Sequence, residues 1–561
     1  MSDRVLTAVP DGLATIGRDV GSLLLIEALL MTVSVVVALA FGEVYPALGF
    51  LIAGGLTAGV GGLANRSFKD APTPRMKHGM VIAASGWLMV ALFGSLPFFL
   101  SAWLTPPEVM ATFVPAGAET GDWRPVTVGS TTTLSSLAYF RDPIHALFES
   151  MSGWTGSGLT MAVREPSLPR SIQWWRSLIQ WVGGVGVIVL TVSILARPGS
   201  GSYALYRSEA REKKIHPSII STVRTVWKLV LGYTGGAFLL LFLAIRASDF
   251  GSTLPLWEIG WQALNHAMTG LTTGGFSVTD NSIATYESPL VEATLLPIMI
   301  AGAVAFPVHY AVLHDFEFSE LVSDIQTRWL FILFALGVIG LSLQNALSIS
   351  ATTDAFATQS TLGGAVPLDA QQTDAVRDAT FQWISALSCT GFQSAPIGRW
   401  VAGGKVMIVS AMVVGGAAGS TVGGIKIIRA YTVVRGIVWQ FSRVFLPKNA
   451  VVIARMGDRT LDRTTMEREF SEAAIVSLLW IILLVASSLV LVNLSGPDFG
   501  YADALFETAS AQSNVGLSAG ITGPTMSPIA EAMFVLNMWI GRLEIIPVLV
   551  FVRSAIYGLN P

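Results

Sequence analysis

The chain has 561 residues, of which 52% are hydrophobic and only 13% are charged, and its formal net charge is −3. A soluble domain carries about 25% charged residues, so this composition excludes an ordinary soluble protein and indicates a membrane protein. The sequence has no basic arm and no basic, aromatic-rich patch that would point to nucleic acid. Its single cysteine, Cys389, excludes a disulfide framework and a zinc site made of cysteines.

Apolar stretches long enough to cross a bilayer, which takes about 20 residues, recur along the chain. Ten of them are candidate spans: roughly 20–41, 47–64, 79–104, 177–196, 229–245, 293–313, 329–350, 406–425, 473–494 and 532–552. Lysine and arginine are concentrated in the connections that follow the second, fourth and eighth spans. Because short cytoplasmic loops are enriched in these residues, we expect ten crossings with both termini in the cytoplasm.

A segment of fifteen residues occurs four times without a gap, starting at Ala146, Ala263, Ala379 and Ala504. Each copy lies between an outward-going and an inward-going span, so it should enter the membrane from outside and return. Backbone at that depth must be hidden from lipid, so each copy is predicted to be a short pore helix, over about 146–153 in the first, and then an extended turn. The predicted parts are two peripheral spans in 1–78 and pore repeats in 79–228, 229–328, 329–468 and 469–561.

The four copies contain the ingredients of a cation filter. Taking a cation out of water costs on the order of tens of kcal/mol unless oxygens replace its hydration shell, and rings of backbone carbonyls do this in potassium channels. The last column of each stretch contains only glycine, which permits the backbone conformations that turn carbonyls inward. The predicted ligating stretches are Thr155, Gly156, Ser157 and Gly158; Thr272, Thr273, Gly274 and Gly275; Ser388, Cys389, Thr390 and Gly391; and Ser513, Asn514, Val515 and Gly516.

The second column of these stretches indicates which atoms bind the ion. It holds glycine, threonine, cysteine and asparagine, so the four copies share no side chain there and backbone carbonyls are the expected ligands. The threonine or serine that opens each stretch can add a hydroxyl or tie down the turn. The alternative is that small residues serve only close packing of helices. Close packing explains the scattered glycines but does not explain four collinear copies in matching places.

The span–pore–span units resemble the Trk/Ktr/HKT superfamily of potassium transporters over residues 79–556, and are most similar to its bacterial TrkH branch. That branch has two extra N-terminal spans and a GRLE sequence in its last span, which stands here at residues 541–544. The resemblance implies an all-α polytopic fold with four repeats around one central pore, and potassium as the transported ion. It also implies an inner-membrane homodimer and a cytoplasmic TrkA-type nucleotide-binding regulatory subunit docked on the basic loops, which would equally suit anionic membrane lipid. It implies no cofactor in this chain.

A glycine-rich stretch, residues 414–426, interrupts the eighth span with five glycines in thirteen residues. Each glycine costs up to about 1 kcal/mol against alanine in a helix, so a break is predicted. The resemblance implies an intramembrane loop that blocks the pore and moves to open it; without the resemblance, a kinked and tightly packed helix would also fit. The residues assigned to gating are Gly415, Gly416, Gly419, Ser420, Thr421, Gly423, Gly424, Lys426 and Arg542.

Charged residues inside the spans are expensive and usually face a cavity or a partner. Arg542 lies in the middle of the last span, where the resemblance implies a place below the filter against the gating loop, so we expect its charge to oppose cation passage and to hold the loop. The alternative is a salt bridge with Glu544 or another carboxylate. Glu149 and Glu507 share a column of the repeat and are expected to brace the filter, whereas Glu27, in the first span, has no predicted role.

The function expected from these features is a gated, potassium-selective uptake protein, with inward flow driven by the membrane potential. Two alternatives stay open: a proton- or sodium-coupled potassium symporter, and a relative that conducts potassium and sodium with less selectivity. An enzyme is not expected. Residues 516–520 fit the hydrolase motif G-x-S-x-G, but the last histidine is His314, so no histidine follows to complete the triad.

Overall fold

The chain folds as a bundle of membrane-length helices. The computed structural model describes residues 10–116, 123–129, 131–195, 219–348, 370–445, 454–456 and 459–559. Within them, six helices are long and apolar enough to cross a membrane, and two bent helix pairs would raise that number to eight. Each of the ten predicted spans overlaps a helix, and the all-α polytopic membrane fold is confirmed. Much of the basic connection after the fourth span, residues 196–218, lies outside the described residues.

Two N-terminal helices, α1 (Asp11–Ala40) and α2 (Val44–Ser67), form an antiparallel pair against the first repeat. They cross at Gly21 and Gly61, where a Cβ on either residue would lie 2.8 Å from the carbonyl oxygen of the other. Small residues at such a crossing let two membrane helices approach closely. The opposite side of α1 carries apolar side chains such as Leu29, which is 63% exposed, as expected for a face in contact with lipid.

The first two repeats contain the following elements. Repeat 1 consists of α3 (Met76–Gly94), α4 (Leu96–Leu104), α5 (Pro107–Ala111), the antiparallel strands β1 (Val126–Val128) and β2 (Thr131–Thr133), the pore helix α6 (Pro143–Thr155) and α7 (Arg170–Leu195). Repeat 2 consists of α8 (Ile219–Ala247), α9 (Asp249–Ser252), the pore helix α10 (Leu256–Leu271), α11 (Pro289–Ala303) and α12 (Phe306–His314). The short helix α13 (Glu320–Ser323) connects repeat 2 to repeat 3.

The last two repeats follow the same order. Repeat 3 consists of α14 (Ile325–Leu347), the pore helix α15 (Ala370–Leu387), α16 (Ala402–Val414), α17 (Ile427–Val444) and the antiparallel strands β3 (Ala454–Met456) and β4 (Arg459–Leu461). Repeat 4 consists of α18 (Arg463–Leu494), the pore helix α19 (Tyr501–Gln512), α20 (Pro528–Arg542) and α21 (Ile546–Tyr557). The first helices of repeats 2, 3 and 4 begin before the predicted boundaries at residues 229, 329 and 469, because each helix continues beyond the apolar part of its span. A helix is therefore present at each of the four positions predicted for a pore helix, and the first is longer than the predicted 146–153.

Three of the four spans that follow a pore helix are broken, whereas only the break in the third repeat was predicted. The chain bends by 107° between α11 and α12 and by 113° between α20 and α21. The bends occur where the span passes beneath the end of a pore helix: Gly302 contacts the carbonyl of Leu271, and Gly541 contacts the carbonyl of Gln512. Each bent pair as a whole is still long and apolar enough to be one span, so mean hydropathy alone conceals the bends.

The apolar core lies at the junctions between repeats. One buried cluster joins repeats 2 and 3 and reaches into repeat 4, and a second joins α1, repeat 1 and the remainder of repeat 4. The pore helices are buried along most of their length, including their polar side chains, because they are surrounded by spans on every side. The polar ends of these helices are thereby held in the middle of the bundle.

Candidate functional site: four turns and the loop beneath them

The four pore helices end in the same local conformation. The residue in the second column of each turn has a positive φ: 70° at Gly156, 52° at Thr273, 52° at Cys389 and 54° at Asn514. The backbone N–H of this residue donates to the carbonyl three residues earlier, and the next N–H donates to the carbonyl five residues earlier, at 2.8–2.9 Å. This is the Schellman ending of a helix. Three of the four residues are not glycine, and each holds a conformation that costs about 1 kcal/mol or more.

The glycine column forms a closed ring. Gly158, Gly275, Gly391 and Gly516 all have a positive φ, between 73° and 104°. A Cβ on each glycine would collide with one backbone carbonyl of the next repeat, and the contacts run in cyclic order: Gly158 with Gly274, Gly275 with Thr390, Gly391 with Val515, and Gly516 with Ser157. The last of these lies at 2.7 Å, closer than real Cβ atoms come to other atoms. The four turns therefore surround one axis. A residue with a side chain would be strained in the backbone conformation of this column, and its side chain would have no space.

The hydroxyls that open the turns secure the backbone. Thr155 Oγ1 donates to the carbonyl of Met151 at 2.6 Å, and Thr272 Oγ1 donates to that of Met268 at 2.8 Å. Both bonds turn the hydroxyl back along its own helix. The sequence left open whether these hydroxyls bind the ion or tie down the turn. Thr155 and Thr272 tie down the turn.

A second column of the repeat braces the chain that leaves each turn. Glu149 accepts from Thr160 Oγ1 at 2.9 Å, and Glu507 accepts from Ser518 Oγ at 2.6 Å. In the other two repeats, neutral side chains in the same column make the equivalent contact. His266 Nε2 lies 3.0 Å from Ser277 Oγ, and Gln382 Nε2 donates to Ser394 Oγ at 3.1 Å. The bracing role expected for the two glutamates therefore belongs to the whole column, and Ser518 is one of its partners.

Two side chains of α7 link the first turn to the second, and sequence reasoning missed both. Arg176 donates to Glu149 at 2.6 Å and to the carbonyl of Ser277 at 2.7 Å. Gln180 donates to the carbonyl of Gly274 at 2.7 Å and accepts from the N–H of Phe276 at 3.0 Å. The signal that could have found Arg176 is a buried charge in an apolar span that needs an acidic partner.

The glycine-rich loop, residues 415–426, closes on itself. Its ends meet because the N–H groups of Ile425 and Lys426 donate to Val413 and Val414, each at 2.9 Å. Gly415 and Gly424 pack backbone against backbone at this neck, and both have a positive φ. The predicted break in the eighth span is thus a compact loop, with Gly416, Gly419, Ser420 and Gly423 on its circumference.

The loop docks on the break between α11 and α12. Thr421 donates to the carbonyl of Gly302 through its N–H at 3.3 Å and through its hydroxyl at 3.0 Å. The N–H of Phe306 donates to the carbonyl of Gly419 at 3.1 Å. The loop also touches the turns above it, because Thr421 Oγ1 lies 2.9 Å from Thr273 Oγ1 and Gly423 contacts the carbonyl of Ser513. It therefore lies directly beneath the ring.

Arg542 joins the loop to the first repeat. Its guanidinium donates to the carbonyl of Thr421 at 2.7 Å and to that of Gly183 at 3.2 Å, and a Cβ on Gly156 would lie 3.7 Å from Nη1. The alternative of a salt bridge between Arg542 and Glu544 is wrong in this structure. Glu544 instead accepts from Arg429 at 2.7 Å and pairs with Lys426 at 3.3 Å.

Comparison with known proteins identifies the family. Residues 78–556 match the TrkH family, described as a cation transport protein. The chain is 31% identical over 504 residues to an uncharacterized cation transporter of Methanocaldococcus jannaschii, covering 90% of this chain and 88% of that protein. It is 27% identical to the Trk system potassium uptake protein TrkH of Halomonas elongata, covering 96% and 98% of the two chains.

A solved structure shares the fold. The crystal structure of the potassium transporter TrkH from Vibrio parahaemolyticus covers 97% of this chain and 99% of its own, with a TM-score of 0.75 and 21% identity. At this identity the likeness concerns the fold alone. The family assignment rests on the match over residues 78–556, which includes all four turns and the loop. This chain therefore belongs to the TrkH family of cation transport proteins, which are transporters and not enzymes.

Proposed function

We propose that this chain is a potassium-selective uptake protein whose selectivity filter is the closed ring of the four turns. The observation that carries the proposal is the cyclic contact of each glycine with a carbonyl of the next repeat, since it brings four backbone strands to one axis. Each strand follows the C-terminal end of a pore helix, where the helix dipole places partial negative charge. Both features favour a dehydrated cation. The names of the Halomonas elongata and Escherichia coli relatives, which are potassium uptake proteins, support potassium as that cation.

The glycine-rich loop is the gate in this proposal. It lies under the ring and is held there by hydrogen bonds to the α11–α12 break and by the guanidinium of Arg542. The Lys426–Glu544–Arg429 cluster fixes the start of α17 to the break between α20 and α21, so it holds the lower side of the loop. A change of state would have to exchange these bonds for others, because polar groups at this depth have no bulk water to replace them.

The wider setting of the proposal follows from the family resemblance. We place the protein in the inner membrane as a homodimer, with both termini and the basic connections on the cytoplasmic side. Helix α17 carries basic side chains, among them Arg435 and Arg443, toward that side, and a TrkA-type nucleotide-binding regulatory subunit would dock there. No cofactor is part of the proposal, and potassium is cargo.

The test is ion flux through the purified protein in liposomes, with potassium, rubidium, sodium and lithium supplied in turn. The proposal expects potassium and rubidium to pass while sodium and lithium pass far more slowly. In Gly158→Ser, sodium permeability should rise relative to potassium, because the serine side chain displaces the carbonyl of Gly274. The control is Gly232→Ser, at a helix position with nothing within 4 Å. Equal flux of all four ions, or an unchanged sodium-to-potassium permeability ratio in Gly158→Ser, would show that the ring is not the selectivity filter.

The same liposomes separate conduction from coupled transport. A potassium gradient alone should drive flux in a conducting protein. If potassium moved only when a proton or sodium gradient was imposed, the protein would be a symporter and the uptake mechanism proposed here would be wrong.

A further inference from the structure

A buried polar cluster connects α1 to the first pore helix. Glu27 of α1 is 0% exposed, and within the described residues its carboxylate has the indole N–H of Trp154, on the pore helix α6, as its side-chain hydrogen-bond donor. The geometry of this contact is not that of a regular hydrogen bond, and the hydroxyl of Ser150, also on α6, likewise has no regular partner. The three groups converge on Gly94: a Cβ placed there would lie 2.6 Å from Trp154 Nε1, 2.7 Å from Glu27 Oε1 and 2.8 Å from Ser150 Oγ.

The composition of this cluster suits mutual hydrogen bonding. It has two carboxyl oxygens, one hydroxyl and one indole N–H, which together supply both donors and acceptors. Leaving such groups unpaired in an apolar interior costs about 1–3 kcal/mol for each. A carboxyl, an indole and a hydroxyl from two helices would not be expected to meet at a glycine unless they bond to one another, either directly or through a bound water with about three polar partners.

Gly94 leaves room for the cluster because it has no side chain. It ends α3, just before the chain turns into α4, and its carbonyl accepts from Trp175 of α7 at 3.1 Å. Because three polar atoms lie within 2.8 Å of its missing Cβ, any side chain at this position would push the cluster apart. The cluster is therefore enclosed by α1, α3, α6 and α7.

Trp154 connects the cluster to the first turn. It directly precedes Thr155, the first residue of the first turn. Its carbonyl accepts from Trp87 Nε1 at 3.2 Å and contacts the backbone of Gly183, whose own carbonyl accepts from Arg542. A shift of the Trp154 ring or backbone would therefore move both the first turn and one anchor of the arginine beneath it.

We propose that Glu27 is a positioning residue for the first quarter of the filter, and that it acts on Trp154 by hydrogen bonding. This inference rests on the proposed function, because it assigns to the two N-terminal spans a part in ion selectivity. Hydrogen bonding is favoured over charge, since an unpaired charge in this apolar surrounding is far more costly than an unpaired neutral group. A neutral amide at position 27 should therefore serve nearly as well as the carboxyl.

The test compares Glu27→Gln with Glu27→Leu in the full-length protein in liposomes, by measuring potassium and sodium flux. Glu27→Leu should lower the potassium-to-sodium permeability ratio by about threefold or more, the size of effect that coupled substitutions usually have. Glu27→Gln should keep the ratio within about twofold of the unsubstituted protein. Trp154→Phe removes the indole N–H together with the five-membered ring that carries it, and it should lower the ratio as Glu27→Leu does. If Glu27→Leu does not fold, Trp154→Phe tests the inference in its place.

A glycine pair provides the matched control. Gly94→Ala drives a methyl into the cluster and should lower the ratio, whereas Gly59→Ala, on α2 with nothing within 4 Å, should not. If Glu27 had a purely structural role, its substitution would reduce the yield or the thermal midpoint and leave the permeability ratio unchanged. That result in both Glu27→Leu and Trp154→Phe would overturn the inference. A loss of selectivity in Glu27→Gln would overturn it as well. If the unsubstituted protein itself were unselective, the proposed function would fail instead, so the two failures are distinguishable.

Discussion

Removal of the charge at Arg542 is the sharpest test of the gate. The guanidinium lies beneath the first turn, with Nη1 3.7 Å from the Cβ position of Gly156. In the proposed pore, a potassium ion that leaves the ring passes close to this group. Two unit charges about 4 Å apart repel by about 1 kcal/mol in water and by about 4 kcal/mol at an effective dielectric constant of about 20. Arg542→Ala should therefore raise flux by at least about fivefold, and by up to about a thousandfold if little water separates the charges.

The lost hydrogen bonds should act in the same direction. Arg542 donates to the carbonyl of Thr421 in the loop, and a hydrogen bond from a charged group contributes about 1.5–3 kcal/mol. Without it the loop is held less firmly beneath the ring, so the open state becomes more populated.

The assay is uptake of radioactive rubidium into potassium-loaded liposomes, with the amount of folded protein measured for each variant. Arg542→Lys is the control, because it retains the charge while losing the second donor, and it should stay closer to the unsubstituted rate. Unchanged or reduced uptake in Arg542→Ala, with folding intact, would refute both the barrier and the anchoring role of this residue.

Four further outcomes are expected. Gly391→Ala should abolish selective flux, because the methyl would overlap a carbonyl of the fourth repeat; rubidium and sodium uptake check this, and a normal ratio would contradict the ring. Thr421→Val keeps the shape but removes the hydroxyl bond to the α11–α12 break, so uptake should rise about fivefold, and a fall would count against the docked loop as the closed state. Glu544→Gln weakens two buried ion pairs, so uptake should rise and the thermal midpoint should fall. A more stable protein with lower uptake would show that the Lys426–Glu544–Arg429 cluster does not hold the loop in place. Burial raises the pKa of Glu165 to about 8, so between about pH 5 and about pH 8 the folded chain keeps a proton that the unfolded chain releases. The thermal midpoint should fall as pH rises through that window, and Glu165→Gln should flatten the slope.

The repeat could be predicted in detail because its signal is local. A short helix followed by an extended turn with a glycine lies within fifteen consecutive residues, and four aligned copies make the pattern clear. The left-handed residue in the second column could not be predicted, because three of the four residues there are not glycine. The break in the eighth span was visible for the same reason, since five glycines in thirteen residues weaken a helix wherever they stand.

The two other breaks were hidden because their cause is tertiary. Gly302 and Gly541 are the single glycines of α11 and α20, and a lone glycine carries no information about what lies above it. Only the folded chain shows that each meets a pore-helix carbonyl. The salt bridge between Arg542 and Glu544, which the sequence left open as the alternative to a barrier role, also depends on tertiary structure. The positive φ at Glu544 and Ile545 turns the carboxylate away toward α17, where it accepts from Arg429.

The ring has a consequence for how selectivity can be altered. In a channel assembled from four identical subunits, one change in the gene appears four times around the axis, so every substitution is a symmetric and drastic one. Here each turn is encoded separately, and Gly156, Thr273, Cys389 and Asn514 already differ within one ring. In the proposed filter, a single substitution in this second column therefore alters one quarter of the ion's surroundings and leaves three quarters intact. Discrimination between ions can thus be adjusted in small steps at this column, whereas the crowded glycine column allows no such adjustment.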